Sequence, residues 1–283
     1  MKEISYSIGK SPRLMGIYTE NDPAGSRSAS RVKKPAILLL NSGLLPRTGP
    51  FRLYVELARR FAKMGFNTFR FDFPGIGDSD QHADARTLDE FYMDDLKAVM
   101  NFLEAEQDDR QFILMGICSG ARYAHDGMVM DARVVGAVCI DGYLYRTRKY
   151  YLHVYGPKLF SPGSWVTALK LAHRKIMPSD TSDSGDSKST PKTSAFSYSY
   201  DSRERVGLDF KKFMDRGVSL HCIFTGSFCK YKNQLADSFK EIDFGETIEV
   251  TYLRNAEHIF PLIEDREDLT TAIVDWLNRK FKT

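Results

Sequence analysis

The chain has 283 residues, 40 Lys and Arg against 37 Asp and Glu, a formal net charge of +3, and 42% hydrophobic residues. That length suits one large α/β domain or two small ones with a sizeable core, and so even a charge balance gives no support to nucleic-acid binding. No apolar run approaches the ~18–20 residues of a membrane span, and the polar, alternating start MKEISYSIGKSPRL lacks the apolar core of a signal peptide.

Four scattered cysteines, at 118, 139, 222 and 229, contain no CxxC pair. A disulfide scaffold and a patterned zinc site are both disfavoured. The expectation is a cytoplasmic globular protein with no metal and no cofactor.

The elements follow in chain order. Ile4 to Tyr18 alternates around a Gly-Lys-Ser-Pro turn and reads as an edge hairpin; residues 21–34, rich in Ser, Gly and basic groups, read as a connection. Pro35 to Leu40 is a short continuous apolar run, as in a strand buried on both faces. Phe51 to Met64 places Leu53, Leu57, Phe61 and Met64 on one helical face before Gly65. A strand is predicted over 67–73. A helix follows over 87–104, with Thr87 and Glu90 forming a capping box. Strand 111–115, helix 119–130 and strand 134–140 complete the first half.

The middle breaks the rhythm. Tyr143 to Lys175 is aromatic and basic, and 178–203 is crowded with Ser, Thr, Asp and Lys, too poor in aliphatics to offset its ordering entropy. Alternation resumes with strand 218–224, a helix near 233–241, strand 247–253 and a final helix over 265–281. Repeated βα units imply a mainly parallel sheet with helices on both faces, built by right-handed crossovers. Residues 1–142 and 206–283 then form the core. Residues 143–205 form a cap or lid insertion beyond the carboxyl ends of the strands, with 178–203 expected to be mobile.

The most informative stretch is Phe112-Ile-Leu-Met-Gly-Ile-Cys-Ser-Gly-Ala121. A strand runs through Gly116-x-Cys118-x-Gly120 directly into a helix, the spacing of a nucleophile elbow. Small residues two before and two after the apex let backbones pass closely, and the helix N-terminus favours an anion there. Cys118 is the candidate nucleophile. Ser119 lies one position past the apex, where its backbone N–H rather than its hydroxyl faces a reacting carbonyl.

With these motifs the sequence resembles the α/β-hydrolase superfamily, from about residue 35 to 281 with the insertion excluded. Leu40-Asn-Ser-Gly-Leu44 resembles the family's oxyanion loop, with Asn41-Ser42-Gly43 replacing the usual His-Gly. Arg70-Phe-Asp-Phe-Pro-Gly-Ile-Gly-Asp-Ser79 matches its strand–turn segment, where Asp72 and Asp78 read as structural acceptors.

The resemblance implies an oxyanion hole from the N–H groups of Ser119 and Leu44, each worth ~3 kcal/mol in such sites, and a late general base, His258 in Asn255-Ala-Glu-His258. The family's usual acid after strand 218–225 is missing. Asp141, ending the strand after the elbow helix, is the alternative. A Cys/His dyad without a carboxylate is also viable. Arg47 and Tyr143 are candidate substrate contacts.

This constellation performs acyl transfer through an acyl-cysteine. The expected substrate is an ester or thioester, carried by CoA or a carrier protein. The alternatives are an acyltransferase, shuttling acyl groups between carrier thiols or to an amine, and a non-catalytic binding protein of the same fold.

Overall fold

The computed structural model describes residues 1–21, 33–83, 88–143, 145–159, 201–226, 228, 229 and 231–282. Its centre is an eight-stranded sheet in the order β1-β2-β4-β3-β5-β6-β7-β8. The strands are β1 (Glu3–Ile8), β2 (Leu14–Thr19), β3 (Ala36–Leu40), β4 (Thr68–Phe71), β5 (Phe112–Ile117), β6 (Val134–Ile140), β7 (Ser219–Thr225) and β8 (Ile248–Leu253). β1 and β2 form the predicted hairpin with Ile4 opposite Tyr18, and β2 pairs antiparallel with β4; every pair from β4 to β8 is parallel.

The helices, numbered in chain order, are α1 (Leu53–Lys63), α2 (Leu88–Gln107), α3 (Ser119–Met130), α4 (Arg148–Leu159), α5 (Arg203–Asp215), α6 (Gln234–Ser238) and α7 (Ile263–Lys280). Alternation along β3 explains why its run is wholly apolar. Leu38 and Leu40 enter a core shared with α2, α3 and α5, whereas Ile37 and Leu39 enter one shared with α1 and α7. Each such buried side chain contributes roughly 1.5–3 kcal/mol. No helix among the described residues is long and apolar enough to cross a membrane.

Two helices differ from the sequence reading. α5 occupies 203–215, where no helix was predicted, and buries Val206, Phe210 and Phe213. Its start is marked by Ser202, whose Oγ accepts from Arg205 N–H. The polar stretch before it and Gly207 within it mask a short apolar stripe. α4 begins seven residues after Asp141 in the aromatic, basic stretch. Most of the cap expected over 143–205, and Thr87 of the expected capping box, lie outside the described residues.

Candidate active site

β5 enters the elbow at Gly116 and α3 leaves it at Ser119, so the turn has a single residue in which to reverse. Cys118 takes φ 58°, ψ −114° to make it, a conformation costly for a residue with a side chain. The close packing that the two glycines permit is real. A Cβ on Gly116 would lie 2.1 Å from the Gly120 carbonyl carbon, and one on Gly120 would lie 2.7 Å from the Asn41 oxygen. Cys118 is half-buried, whereas Cys139 and Cys222 are buried in β6 and β7.

His258 lies in the loop after β8. Its Nδ1 is 2.6 Å from Asp141 Oδ2, and its ring hydrogen-bonds Cys118. Burial opposes charge on this imidazole, but the bonds to Asp141 and Cys118 outweigh it and raise its pKa to about 9. The chain thus brings Cys118, His258 and Asp141 together from three loops at the carboxyl ends of β5, β8 and β6.

Asp141 is 1% exposed and accepts two further bonds. Thr225 donates to it from its backbone N–H and its hydroxyl, both at 2.7 Å. Sequence reasoning missed Thr225. It ends the strand after which the expected acid is absent, so the donor stands at the acid's place and holds the carboxylate from the neighbouring strand. Phe228 also went unremarked; its ring lies 4.5 Å from that of His258.

Gly43, the neighbour of the expected Leu44, is hydrogen-bonded to the elbow. Gly43 N–H donates to Ser119 Oγ at 2.7 Å. A tight turn closed by Leu45 N–H to the Ser42 carbonyl brings Gly43 to α3 and leaves the Leu44 side chain 68% exposed. Asn41, in place of the usual His, ties this loop down: it donates to Leu45 O at 2.9 Å and to Asp72 Oδ1 at 3.2 Å, and accepts from Phe73 N–H at 2.8 Å.

Two expected substrate contacts are engaged elsewhere. Arg47 bonds Asp72 through its guanidinium and through its N–H, and Asp78 through its guanidinium at 2.5 Å. Burial disfavours the Arg47 charge, yet these two carboxylates hold its pKa above the ordinary value, and the pairs tie the loop after β3 to the turn after β4. Tyr143 is 1% exposed and packs in the core, its hydroxyl 3.0 Å from His125 Nδ1. Burial removes it from any open cleft.

Residues 35–205 match the family described as serine aminopeptidase S33. The chain belongs to that family. Its α/β-hydrolase fold recurs in solved structures. An esterase of Pyrococcus furiosus superposes with TM-score 0.60 at 14% identity, covering 99% of this chain and 91% of the other. A Xanthomonas campestris α/β serine hydrolase without lid gives 0.58 at 12%, covering 100% and 96%. The α/β hydrolase GrgF of a Penicillium species gives 0.58 at 14%, covering 100% and 99%. No curated protein matches the sequence. The family's description names serine, whereas residue 118, at the strand–helix turn of this chain, is a cysteine.

Proposed function

We propose that this family member hydrolyses acyl thioesters through an acyl-Cys118 intermediate. The observation that carries the reading is the double engagement of His258, by Asp141 on one side and Cys118 on the other, with its pKa at about 9. An imidazole protonated at neutral pH is the counterion of a thiolate, and thiolate is the nucleophilic form of cysteine.

In this mechanism the Cys118 thiolate attacks the thioester carbonyl, and the carbonyl oxygen takes the negative charge. The N–H groups of Ser119 and Gly43 are the proposed donors to that oxygen. Collapse expels the substrate thiolate, which takes the His258 proton and leaves as a thiol. His258, now neutral and oriented by Asp141, removes a proton from water, and the resulting attack frees the acid and regenerates Cys118.

Thioesters suit this pair because attacking and leaving groups are both thiolates of similar energy, whereas an alkoxide is a much poorer leaving group. Ser119 is the rival nucleophile, but its hydroxyl is turned to Gly43 N–H. The esterase activity named for the Pyrococcus structure is acyl transfer of the same kind. Exposed apolar side chains on the loops that carry the site, Leu44, Phe51, Ile259 and Leu262, suit an acyl chain. The division into a core and a cap over 143–205 belongs to this proposal.

Incubation with an acyl-pantetheine thioester followed by intact-mass measurement tests the reading. An acyl adduct present in wild type, lost in Cys118→Ala and kept in Ser119→Ala is expected, with free acid appearing in the absence of any amine or thiol acceptor. An adduct that survives Cys118→Ala would overturn it.

A further inference from the structure

A concavity lies outside the candidate active site. The stretch from Tyr145 to Lys149, the start of α5 and the end of α6 enclose a groove of about 420 Å³, a size suited to a small molecule. Five cationic side chains line it: Arg146, Arg148, Lys149, Arg203 and Lys240. Among the described residues, two carboxylates, Asp237 and Glu241, face them. The cationic excess in this one groove equals the formal charge of the entire chain, +3.

The internal partners do not account for that excess. Lys149 Nζ is held by Asp237 Oδ1 at 2.7 Å, and Arg203 Nε stands 3.6 Å from Glu204. Among the described residues, Arg146, Arg148 and Lys240 have no hydrogen bond or ion pair. α4, 12 residues long, also begins in this wall, capped by Thr147 Oγ1, which accepts from Tyr150 N–H at 3.1 Å. The positive end of its dipole adds to the field of the side chains. Like charges gathered in a concave wall repel one another and focus the field on an anion. Guanidinium forks match phosphate oxygens in pairs.

One short stretch of chain links the groove to the candidate active site. The Phe228 ring rests on that of His258, 4.5 Å between centroids. Three residues later the Tyr231 hydroxyl lies 2.7 Å from Thr147 Oγ1 in the groove wall. Three residues of chain span at most ~11 Å between Cα atoms.

We propose that this groove binds the nucleotide phosphates of a coenzyme A thioester, anchoring the substrate while its pantetheine arm reaches Cys118. The proposal rests on the acyl-Cys118 reading and names the substrate class of that site. Three cations without a partner among the described residues, spread along one groove, outnumber what a single phosphate needs, and they match a ligand carrying a diphosphate and a further phosphate. A groove of this size also fits a nucleotide better than the broad face of a carrier protein.

Calorimetry with the Cys118→Ala protein separates anchoring from chemistry. Coenzyme A and adenosine 3′,5′-bisphosphate should both bind, and pantetheine should not. The exposed-site variant Arg146→Gln/Arg148→Gln/Lys240→Gln, checked for an unchanged Tm, should weaken both at least tenfold. In proteins with Cys118 intact, the same triple change should raise KM for an acyl-CoA at least tenfold more than KM for the same acyl group on pantetheine.

Absence of nucleotide binding would overturn the proposal, as would unaltered binding by the triple variant. Inorganic phosphate binding as tightly as the bisphosphate would overturn it too, and so would a preference for an acidic acyl carrier protein over coenzyme A. Failure of the acyl-Cys118 reading has a different signature: no adduct from acyl-pantetheine, with nucleotide binding intact.

Discussion

Among the described residues, two clusters contain a cysteine, a histidine and an aspartate, and only one of the two has the makings of an active site. At the elbow, Cys118, His258 and Asp141 meet on loops. Beneath α3, Cys139 lies 3.7 Å from the Tyr143 hydroxyl, which is 3.0 Å from His125 Nδ1, and His125 Nε2 is 3.4 Å from Asp209 Oδ2. Residue types are the same, so identity alone does not separate them.

Surroundings do. Cys139 sits in a regular strand, 1% exposed, and burial pushes its thiol up to about 12 although the Tyr143 contact works the other way. Its histidine is 3% exposed and walled by Phe210 and Phe213. Asp209 is committed to Lys212 and Arg205 as well; burial would raise its carboxyl, but His125 and Lys212 hold it down at about 2. The inner cluster pins α5 to α3. The outer one has a strained, half-exposed sulfur at a helix start. Access and backbone geometry therefore make the difference.

The sharpest way to break this comparison is to remove each sulfur in turn. Cys118→Ala should abolish the acyl adduct and lower thioester turnover on the order of 10³-fold or more. Cys139→Ala should leave turnover near wild type and cost about 1 kcal/mol of stability, as small core truncations do, read as a lower Tm. Equal losses of turnover in both variants would erase the distinction.

The carboxylates come next. Asp141→Asn keeps the shape but deprives His258 of its charged partner, and turnover should fall on the order of 10²–10⁴-fold. The alkaline limb of the pH–rate profile should also move below its wild-type position near 9, because the bond to Asp141 is a principal cause of the raised pKa. Asp209→Asn should instead lower Tm with little change in that limb. A wild-type profile in Asp141→Asn would remove Asp141 from the site.

This contrast also explains what was legible beforehand. The elbow, the strand–turn segment and the late histidine are local patterns, since their spacing encodes backbone conformations a few residues long. The parallel sheet follows from the same local periodicity. Thr225 was invisible because its bond to Asp141 depends on the register of β6 against β7, residues 84 apart. The bond from Gly43 N–H to Ser119 Oγ rests on a turn that Asn41 ties to Leu45 and to Asp72, a contact that local spacing does not encode. Arg47 and Tyr143 read as substrate contacts from their neighbourhood in sequence, yet ion pairs and core packing, both tertiary, claim them. α5 was missed because three buried apolar positions hide among seven charged side chains and one glycine.

A pH titration of stability sharpens the comparison at lower amplitude, using two histidines that lie on the same side of the sheet order but in opposite environments. His258 is raised to about 9 from an ordinary 6.5, so its contribution to stability is fully present below pH 6.5 and is lost as pH rises through 9. His221, inside β7 with Nε2 at 2.8 Å from Thr251 Oγ1, is lowered to about 3, mainly by burial and also by Arg279. The unfolded chain then binds a proton that the fold refuses, and stability falls as pH drops from 6.5 towards 3. His258→Ala should flatten the alkaline side of a Tm–pH curve, and His221→Leu the acid side. A curve unchanged by His258→Ala would mean that the imidazole is not charged in the fold.

The smallest expected effect tests the oxyanion donors. In the resting protein Gly43 N–H is spent on Ser119 Oγ, so using it for the substrate oxygen costs the enzyme that hydrogen bond, on the order of 1 kcal/mol for a neutral pair. Ser119→Ala removes the competing acceptor while keeping the Ser119 backbone N–H in place. Turnover should stay level or rise by up to ~5-fold, the rate equivalent of about 1 kcal/mol. A tenfold or greater fall would give the hydroxyl the opposite role, a donor to the developing oxyanion with Gly43 N–H orienting it, and the amide of Gly43 would no longer be counted as a donor. Retention of the acyl adduct in either case keeps that question apart from the identity of the nucleophile.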